Sequence, residues 1–585
     1  MPAWILNLLS LLQLCPFSLQ DLSASDIEFW NIIARNNIDR KLRENPHLLE
    51  VKRPKNIILF IGDGMGIATV TSARINKNQE AGNKYLNEPL YFEKFTTAGL
   101  VKTSSFSNHV TDSAASATAL YTGRKIDNTF LNLKPQSNVM CTDQENLKIK
   151  DGIVEGALRK GVDVGFVTTT RITHATPGAL YAKGIHRNIE YDGEAIERGV
   201  PNCTDIAKQL LSYPANEFKV LMGGGRRNLR DKSRGGLRKD GRSIDIEWSN
   251  LGGNRKVLTS TAGLRAHEAN GEKLLGLFAE SHFPFFLEEK LKNETRVPRL
   301  SEMTVKAIQQ LQGGEHGFFL MVEGGNIDTA EHNNQMHLAF GELYEFEEAI
   351  KKAREMTNRS ETLIIVTADH GHAVTLPGYL PANKTILSSQ VVTSEDFDKK
   401  STEGKEKTKA KTTFYEVPGI FFATGPGFRG GFEVESMNLD EEKRAHPLYR
   451  LPTAIPMQYG VHGGEDVGIW ADGPFAQLFT STLENTEVAY IIKFLLCTST
   501  TDYTFCDIPK LSETPQPSVF VKNIVETVGE ENLVTLGICL LGVAILSLMT
   551  TVTLSVMLIL QRRRCNSLLH IPGCTSETTL VKTSI

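Results

Sequence analysis

Five near-continuous apolar runs punctuate the chain: NIILFIGDGMG from Asn56, VDVGFVTTTR from Val162, EFKVLMGGG from Glu217, HGFFLMVEGG from His316 and ETLIIVTADHGH from Glu361. Each has the length of a strand and closes on Gly, Asp, Glu or Thr. Stretches with helical spacing separate them, such as GIVEGALRKG from Gly152 and MHLAFGELYEFEEAIKKAREM from Met336. Strands apolar on both faces are covered on both faces, and alternation with helices makes such a sheet parallel. The pattern predicts an α/β fold of three layers, α/β/α, around a large and mostly parallel central sheet. Ligands of such sheets bind beyond the carboxyl ends of the strands, where Asp63, Thr169, Glu323 and Asp369 fall.

The two ends differ from this middle. Residues 1–20, MPAWILNLLSLLQLCPFSLQ, match the length of a signal-peptide core. A charge-free stretch at 533–560 exceeds the ~20 residues that cross a bilayer, and Arg562, Arg563 and Arg564 follow it. These features predict a cell-surface, single-pass type I membrane protein. Its parts are an ectodomain at 21–510, a stalk at 511–532, a span at 533–560 and a cytoplasmic tail at 561–585. A GPI anchor is the alternative. The segment at about 373–458 holds a charge-dense stretch between short β-like pieces and is expected to be an insertion over the active-site face.

Cysteine usage agrees with secretion. Cys141, Cys203, Cys497 and Cys506 form an even set outside the apolar ends. Cys497 and Cys506 are close enough to pair locally, leaving Cys141 for Cys203. Sequons at Asn293, Asn358 and Asn383 are candidate glycosylation sites. The formal net charge of −4 supplies no basic field for nucleic acid.

Four motifs carry candidate chemistry. In VEGGNIDTAEH, Asp328 and His332 share one face if a helix begins there, a spacing that holds one metal ion with oxygen and nitrogen ligands. In VTADHGH, Asp369 and His370 leave a strand together. In GVHGGED, glycines beside His462 permit close backbone approach. In VTDSAASATAL, Thr111, Asp112 or Ser113 is suited to capping a helix, and a serine there is also a candidate nucleophile.

Together with Asp63 in GDGMG, these segments resemble the alkaline phosphatase family, in order from about Asn56 to Asp507. The resemblance implies that family's α/β fold with a crown-like insertion, and phosphate monoester hydrolysis through a phosphoserine at Ser113. It implies one Zn2+ on Asp328, His332 and His462, and a second on Asp63, Asp369 and His370. It implies Mg2+ on Asp63, Thr176 and Glu323, Arg187 as the phosphate clamp with Arg171 as a local competitor, and His174, Thr329 and His372 close behind the ligands. A homodimer is implied as well. Animal members often carry histidine where Thr329 stands, so the surroundings of the metals differ here. At the family's calcium position Phe278 is followed by Ala279 instead of an acid, with Glu280 the nearest substitute; Ca2+ is expected to be absent or weak. A phosphodiesterase or sulfatase, and a catalytically silent receptor domain, are the competing readings.

Overall fold

The computed structural model describes residues 23–498, apart from 26, 137–138, 142–143, 394–412 and 435–439. Ten strands form its central sheet: β1 (Asn56–Gly62), β2 (Thr97–Lys102), β3 (Asp163–Arg171), β4 (Val220–Gly224), β5 (Arg255–Leu258), β6 (Lys273–Leu277), β7 (Phe318–Gly324), β8 (Thr362–Ala368), β9 (Val467–Asp472) and β10 (Ser481–Glu484). Their order across the sheet is β10-β2-β9-β8-β1-β7-β3-β4-β6-β5. All neighbours run parallel except β9, which is antiparallel to both β8 and β2. The five apolar runs become β1, β3, β4, β7 and β8, adjacent at the sheet's centre and buried throughout most of their length.

Register then fixes where the acids emerge. Gly62 of β1 is level with Gly324 of β7 on one side and Ala368 of β8 on the other. Asp63 and Asp369 therefore leave the sheet side by side, with Glu323 one residue inside the edge. Thr168 of β3 is level with Glu323. In a parallel sheet a one-residue slip would send these side chains to the opposite face, so apolar packing of the strands is what aligns the carboxylates.

The segment after β8 leaves and returns through a two-residue antiparallel pairing, Gly371–His372 with His462–Gly463. Between these points lie two small three-stranded sheets. One joins Val374–Thr375, Phe421–Gly425 and Thr453–Pro456; the other joins Ser389–Thr393, Phe414–Pro418 and Glu433–Val434. At the amino end a helix spans Ile27–Glu44 and gives way at Pro46 to a 3-10 turn. Its Lys41 ammonium is buried and donates to the carbonyls of Leu478 and Thr480 at 2.8 Å, locking the helix to the body.

The single-pass type I arrangement expected from the sequence is corrected: among the described residues no helix is long and apolar enough to cross a membrane. The longest, Met336–Glu355, buries one face and lines the other with carboxylates and bases. The apolar stretches at 1–20 and 533–560, the stalk and the tail lie outside the described residues. Cys141 and Cys203 form a disulfide, while Cys506, the expected partner of Cys497, is outside the described residues. Asn293, Asn358 and Asn383 are all exposed.

Candidate active site

Three strand ends supply the acids of the site. Beyond β1 the chain turns at Gly64, with φ 74°. A Cβ there would lie 2.9 Å from both Asp328 Cα and His372 Cδ2, so only glycine lets the turn close on its neighbours. The Gly64 amide donates to Asp369 Oδ1 at 3.1 Å, joining the ends of β1 and β8. Beyond β7 a short helix, Asn326–His332, begins immediately and carries Asp328 and His332 on one face.

Three imidazoles converge on one oxygen of Asp328. His372 Nε2 lies 2.8 Å from Asp328 Oδ1, His332 Nε2 3.3 Å and His462 Nε2 3.6 Å. The pairing of His462 with His372 across the two-residue bridge is what delivers His462. Further carbonyl contacts orient the rings: His332 Nδ1 is 2.6 Å from the Gly460 carbonyl and His462 Nδ1 is 3.0 Å from that of Thr111.

A second group lies alongside. His370 Nε2 is 3.5 Å from Asp63 Oδ1, 3.3 Å from Asp369 Oδ2 and 3.2 Å from Ser113 Oγ. The third group is Asp63, Glu323 and His174, with Thr176 Oγ1 3.5 Å from Asp63 Oδ2. Thr168 and Thr170 both donate to Glu323 Oε2.

Among the described residues, three sets of acids and imidazoles each bring one ligand atom apiece within 4.8 Å of the others. They are Asp328, His332, His372 and His462; Asp63, Asp328 and His370; and Asp63, His174 and Glu323. His372 and His174 thus stand within the groupings. Asp369 stands beside the second set, and Thr329 enters through its carbonyl, which accepts from Asn333 Nδ2 at 2.9 Å.

Ser113 is the first residue of a ten-residue helix, Ser113–Thr122, whose N-cap is Asp112. Asp112 Oδ1 accepts from the amides of Ala115 at 3.1 Å and Thr129 at 3.0 Å. Its other oxygen accepts from Arg187 Nη1 at 3.0 Å, and Arg187 Nη2 faces His174 Nε2 at 3.1 Å. One carboxylate therefore serves both the serine helix and the arginine. Arg171 is committed elsewhere: it donates through Nε to Glu190 Oε2 at 2.8 Å and also meets His282. Near the expected calcium position, Glu280 accepts from Arg226 Nε at 2.8 Å.

Electrostatics favour bound cations. Burial pushes the Glu323 carboxyl up to about 7, and burial together with Asp328 pushes Asp369 up to about 7. Burial, with Asp369, Asp328 and Glu323 close by, holds Asp63 well above the usual carboxylate range. Burial also raises Asp328, but His332, His372 and His462 outweigh it and hold that carboxyl low. Burial drives His462 down to about 4 and, with the neighbouring His462, lowers His370. Acids that resist ionising and imidazoles that resist protonation are both relieved by a divalent ion. Asp63 Oδ1, Glu323 Oε1 and Asp369 Oδ2 are buried with no hydrogen-bond donor among the described residues. The donor set fits such ions.

Sequence reasoning brought Asp63, Ser113, Thr176, Arg187, Glu323, Asp328, His332, Asp369, His370 and His462 to this region, and the structure gathers all of them. It left the work of Asp112 undecided among three capping candidates. It missed Thr168 and Thr170, whose alternation on β3 points both hydroxyls at Glu323. Glu331, fully buried with Oε1 accepting from Thr69 at 2.6 Å, was missed too; an acid one residue before His332 was its only signal.

A serine at a helix N-terminus, facing grouped acids and imidazoles on the carboxyl edge of a parallel sheet, defines a metal-binding α/β hydrolase. The family model for alkaline phosphatase matches residues 54–498, and the chain belongs to the alkaline phosphatase family; it is an alkaline phosphatase, a phosphoric monoester hydrolase. A membrane-bound alkaline phosphatase of Bombyx mori is 34% identical over 492 residues, covering 81% of this chain and 86% of that one. Alkaline phosphatase of Thermus thermophilus shares the fold, with a TM-score of 0.54 at 22% identity over 76% of this chain and 91% of its own. A mutant alkaline phosphatase, TAB5, with Mg bound in its M3 site matches with a TM-score of 0.50 at 22% identity, covering 77% and 99%.

Proposed function

We propose that the chain hydrolyses phosphate monoesters at alkaline pH through a phosphoserine at Ser113, with two zinc ions and one magnesium ion as cofactors. The observation that carries this reading is the Ser113 hydroxyl, buried at the start of its helix and 3.2 Å from His370 Nε2 within the acid–imidazole cluster. One zinc is assigned to Asp328, His332 and His462, the other to Asp63, Asp369 and His370. Magnesium is assigned to Asp63, Thr176 and Glu323, of which Thr176 Oγ1 lies 3.5 Å from Asp63 Oδ2. When bound, these ions supply Lewis-acid neutralisation of anionic oxygens and make nearby hydroxyls easier to deprotonate.

The chain's own groups position and transfer. Arg187, held by Asp112 and His174, offers its planar fork to two non-bridging oxygens. The free amides at the N-terminus of the Ser113–Thr122 helix favour the same anion. Ser113 Oγ attacks phosphorus; the Oγ–P bond forms, the ester O–P bond breaks, and the alcohol leaves with a proton. Water then attacks the phosphoserine, the Oγ–P bond breaks, and inorganic phosphate departs as Ser113 regains its proton. Positioning and charge stabilisation are what phosphoryl transfer chiefly demands. His174, Thr329 and His372 tune the surroundings of these groups. The active species is taken as a homodimer, and a sedimentation mass of one chain would overturn that.

The test is p-nitrophenyl phosphate hydrolysis by the purified protein beside Ser113→Ala, from neutral to alkaline pH, before and after chelation. Activity should rise with pH, vanish on chelation, return with zinc and magnesium together, and be lost in the variant. A metal-replete protein without activity would sink the enzymatic reading. Faster cleavage of a phosphodiester would move it to the phosphodiesterases.

A further inference from the structure

A cavity of about 370 Å3 lies within the segment that leaves and returns between β8 and β9. Its wall includes Phe428, Arg429, Lys443, His446, Tyr449 and Arg450. We propose that this cavity is a second anion site, separate from the serine centre, that takes a phosphate- or sulfate-bearing small molecule of about sugar size.

The wall's charge is unbalanced. Arg444, which is not part of the wall, is neutralised by Glu416 at 2.7 Å and is buried. Arg429, Lys443 and Arg450 are exposed and have no carboxylate within ion-pair distance among the described residues. Glu416, already paired with Arg444, is the carboxylate that also feels Arg429; three cations at one concavity with no ion pair among the described residues create a local positive potential, and a bound anion removes their mutual repulsion.

The arginine is also held for use. Arg429 lies over the Tyr449 ring, 4.8 Å from its centroid, and donates through Nη2 to the Arg450 carbonyl at 2.8 Å. That fixes its plane while leaving other N–H groups free for a planar or tetrahedral oxyanion. Tyr449 is 7% exposed, and its buried hydroxyl has no partner; an acceptor brought into the cavity would relieve that cost. Phe428 and Tyr449 give the same wall an apolar face, the mixture that small organic anions require.

The cavity is preformed. The amide of Gly427, on its rim, donates to Asn334 Oδ1 at 3.0 Å, and Gln335 Nε2 donates to the Leu448 carbonyl at 3.1 Å. Both contacts tie the wall to the rigid junction that follows the Asn326–His332 helix. None of the cavity residues belongs to the acid–imidazole cluster.

The test uses the full-length, metal-replete protein and pyranine, a fluorescent pyrene trisulfonate that a phosphatase does not cleave. Anisotropy should report saturable binding at low ionic strength that weakens with salt. A hexose sulfate should displace the dye. Arg429→Ala/Arg450→Ala should weaken binding about 10-fold or more, since two charge-assisted contacts are lost. Lys443→Ala should weaken it less. Ser113→Ala should bind as wild type does. These side chains are exposed, and an unchanged melting temperature verifies the fold of each variant. No binding by wild type, or equal binding by the double arginine variant, overturns the proposal. Displacement of the dye by orthovanadate with no effect of the arginine substitutions would place it at the serine centre, and overturns it equally.

Discussion

Asp112 holds two things at once, and replacing it separates them. Its Oδ1 caps the Ser113–Thr122 helix, while its Oδ2 accepts from Arg187. Asparagine is as good an N-cap as aspartate, so Asp112→Asn should keep the helix through Oδ1, but its Nδ2 is a donor where Oδ2 accepted from Arg187, and the bond to the arginine is lost. A hydrogen bond to a charged group contributes about 1.5–3 kcal/mol and a neutral one about half that. The arginine and carboxylate are 18% and 14% exposed, so the bond is little screened. Losing that bond, about 2 kcal/mol in holding Arg187, should raise the inhibition constant for inorganic phosphate about 30-fold. Asp112→Ala loses the same bond, for a similar rise. It also loses the cap, at about 1 kcal/mol of stability. The assay is inhibition of p-nitrophenyl phosphate hydrolysis by phosphate, beside thermal melting of each variant. Melting temperature should fall further in the alanine variant than in the asparagine variant, since only alanine also loses the cap. Tighter phosphate inhibition in Asp112→Asn would refute the reasoning, because Asp112 would then be competing for Arg187 instead of aiming it.

Other perturbations follow the same logic. Cys203→Ser opens the loop closed with Cys141 across a separation of 62 residues; loop entropy sets the destabilisation at about 4 kcal/mol, measurable as a lower denaturation midpoint matched by reduction of the wild type. Burial pushes Glu342 up to about 8, and it accepts from the Phe286 amide at 2.6 Å. A carboxyl raised in the folded state adds stability only while it is protonated. The cost of keeping or ionising it therefore grows from the ordinary glutamate range up to about pH 8 and is constant above. Glu342→Gln keeps the acceptor, so its stability relative to wild type should climb between about pH 5 and pH 8; a flat difference across that window would show that Glu342 ionises freely. Lys41→Met should loosen the Ile27–Glu44 helix, since the carbonyls of Leu478 and Thr480 lose their donor, and proteolysis near the amino end should speed up.

The sheet's centre was legible because β1, β3, β4, β7 and β8 are apolar on both faces, a signature no surface strand shares. The acids were legible for the same reason: a polar residue at the end of such a run has nowhere to go but the strand edge. β9 was not legible. Val467–Asp472 runs antiparallel between β8 and β2, and nothing in a short mixed stretch states which strands it will enter between. The bond from Arg187 to Asp112 was hidden because the two are far apart in sequence; the Leu131–Gly184 bridge and the Arg187 amide, which donates to the Thr129 carbonyl at 2.7 Å, bring them together. The expected disulfide between Cys141 and Cys203 formed as pairing arithmetic suggested. The single-pass reading rested on the signal-like amino end, the apolar stretch at 533–560 and the arginines after it, none of them among the described residues, and the described helices give it no support.

The two-residue bridge between Gly371–His372 and His462–Gly463 acts as a clasp. Everything strung between its halves can be lengthened, shortened or re-folded while His462 is still returned to the same place beside His372. Closing a longer loop costs only slowly more, so this stretch is free to diversify at almost no expense to the chemistry. New surfaces for partners or regulators should therefore arise there first, and the basic cavity is built from residues inside the clasp.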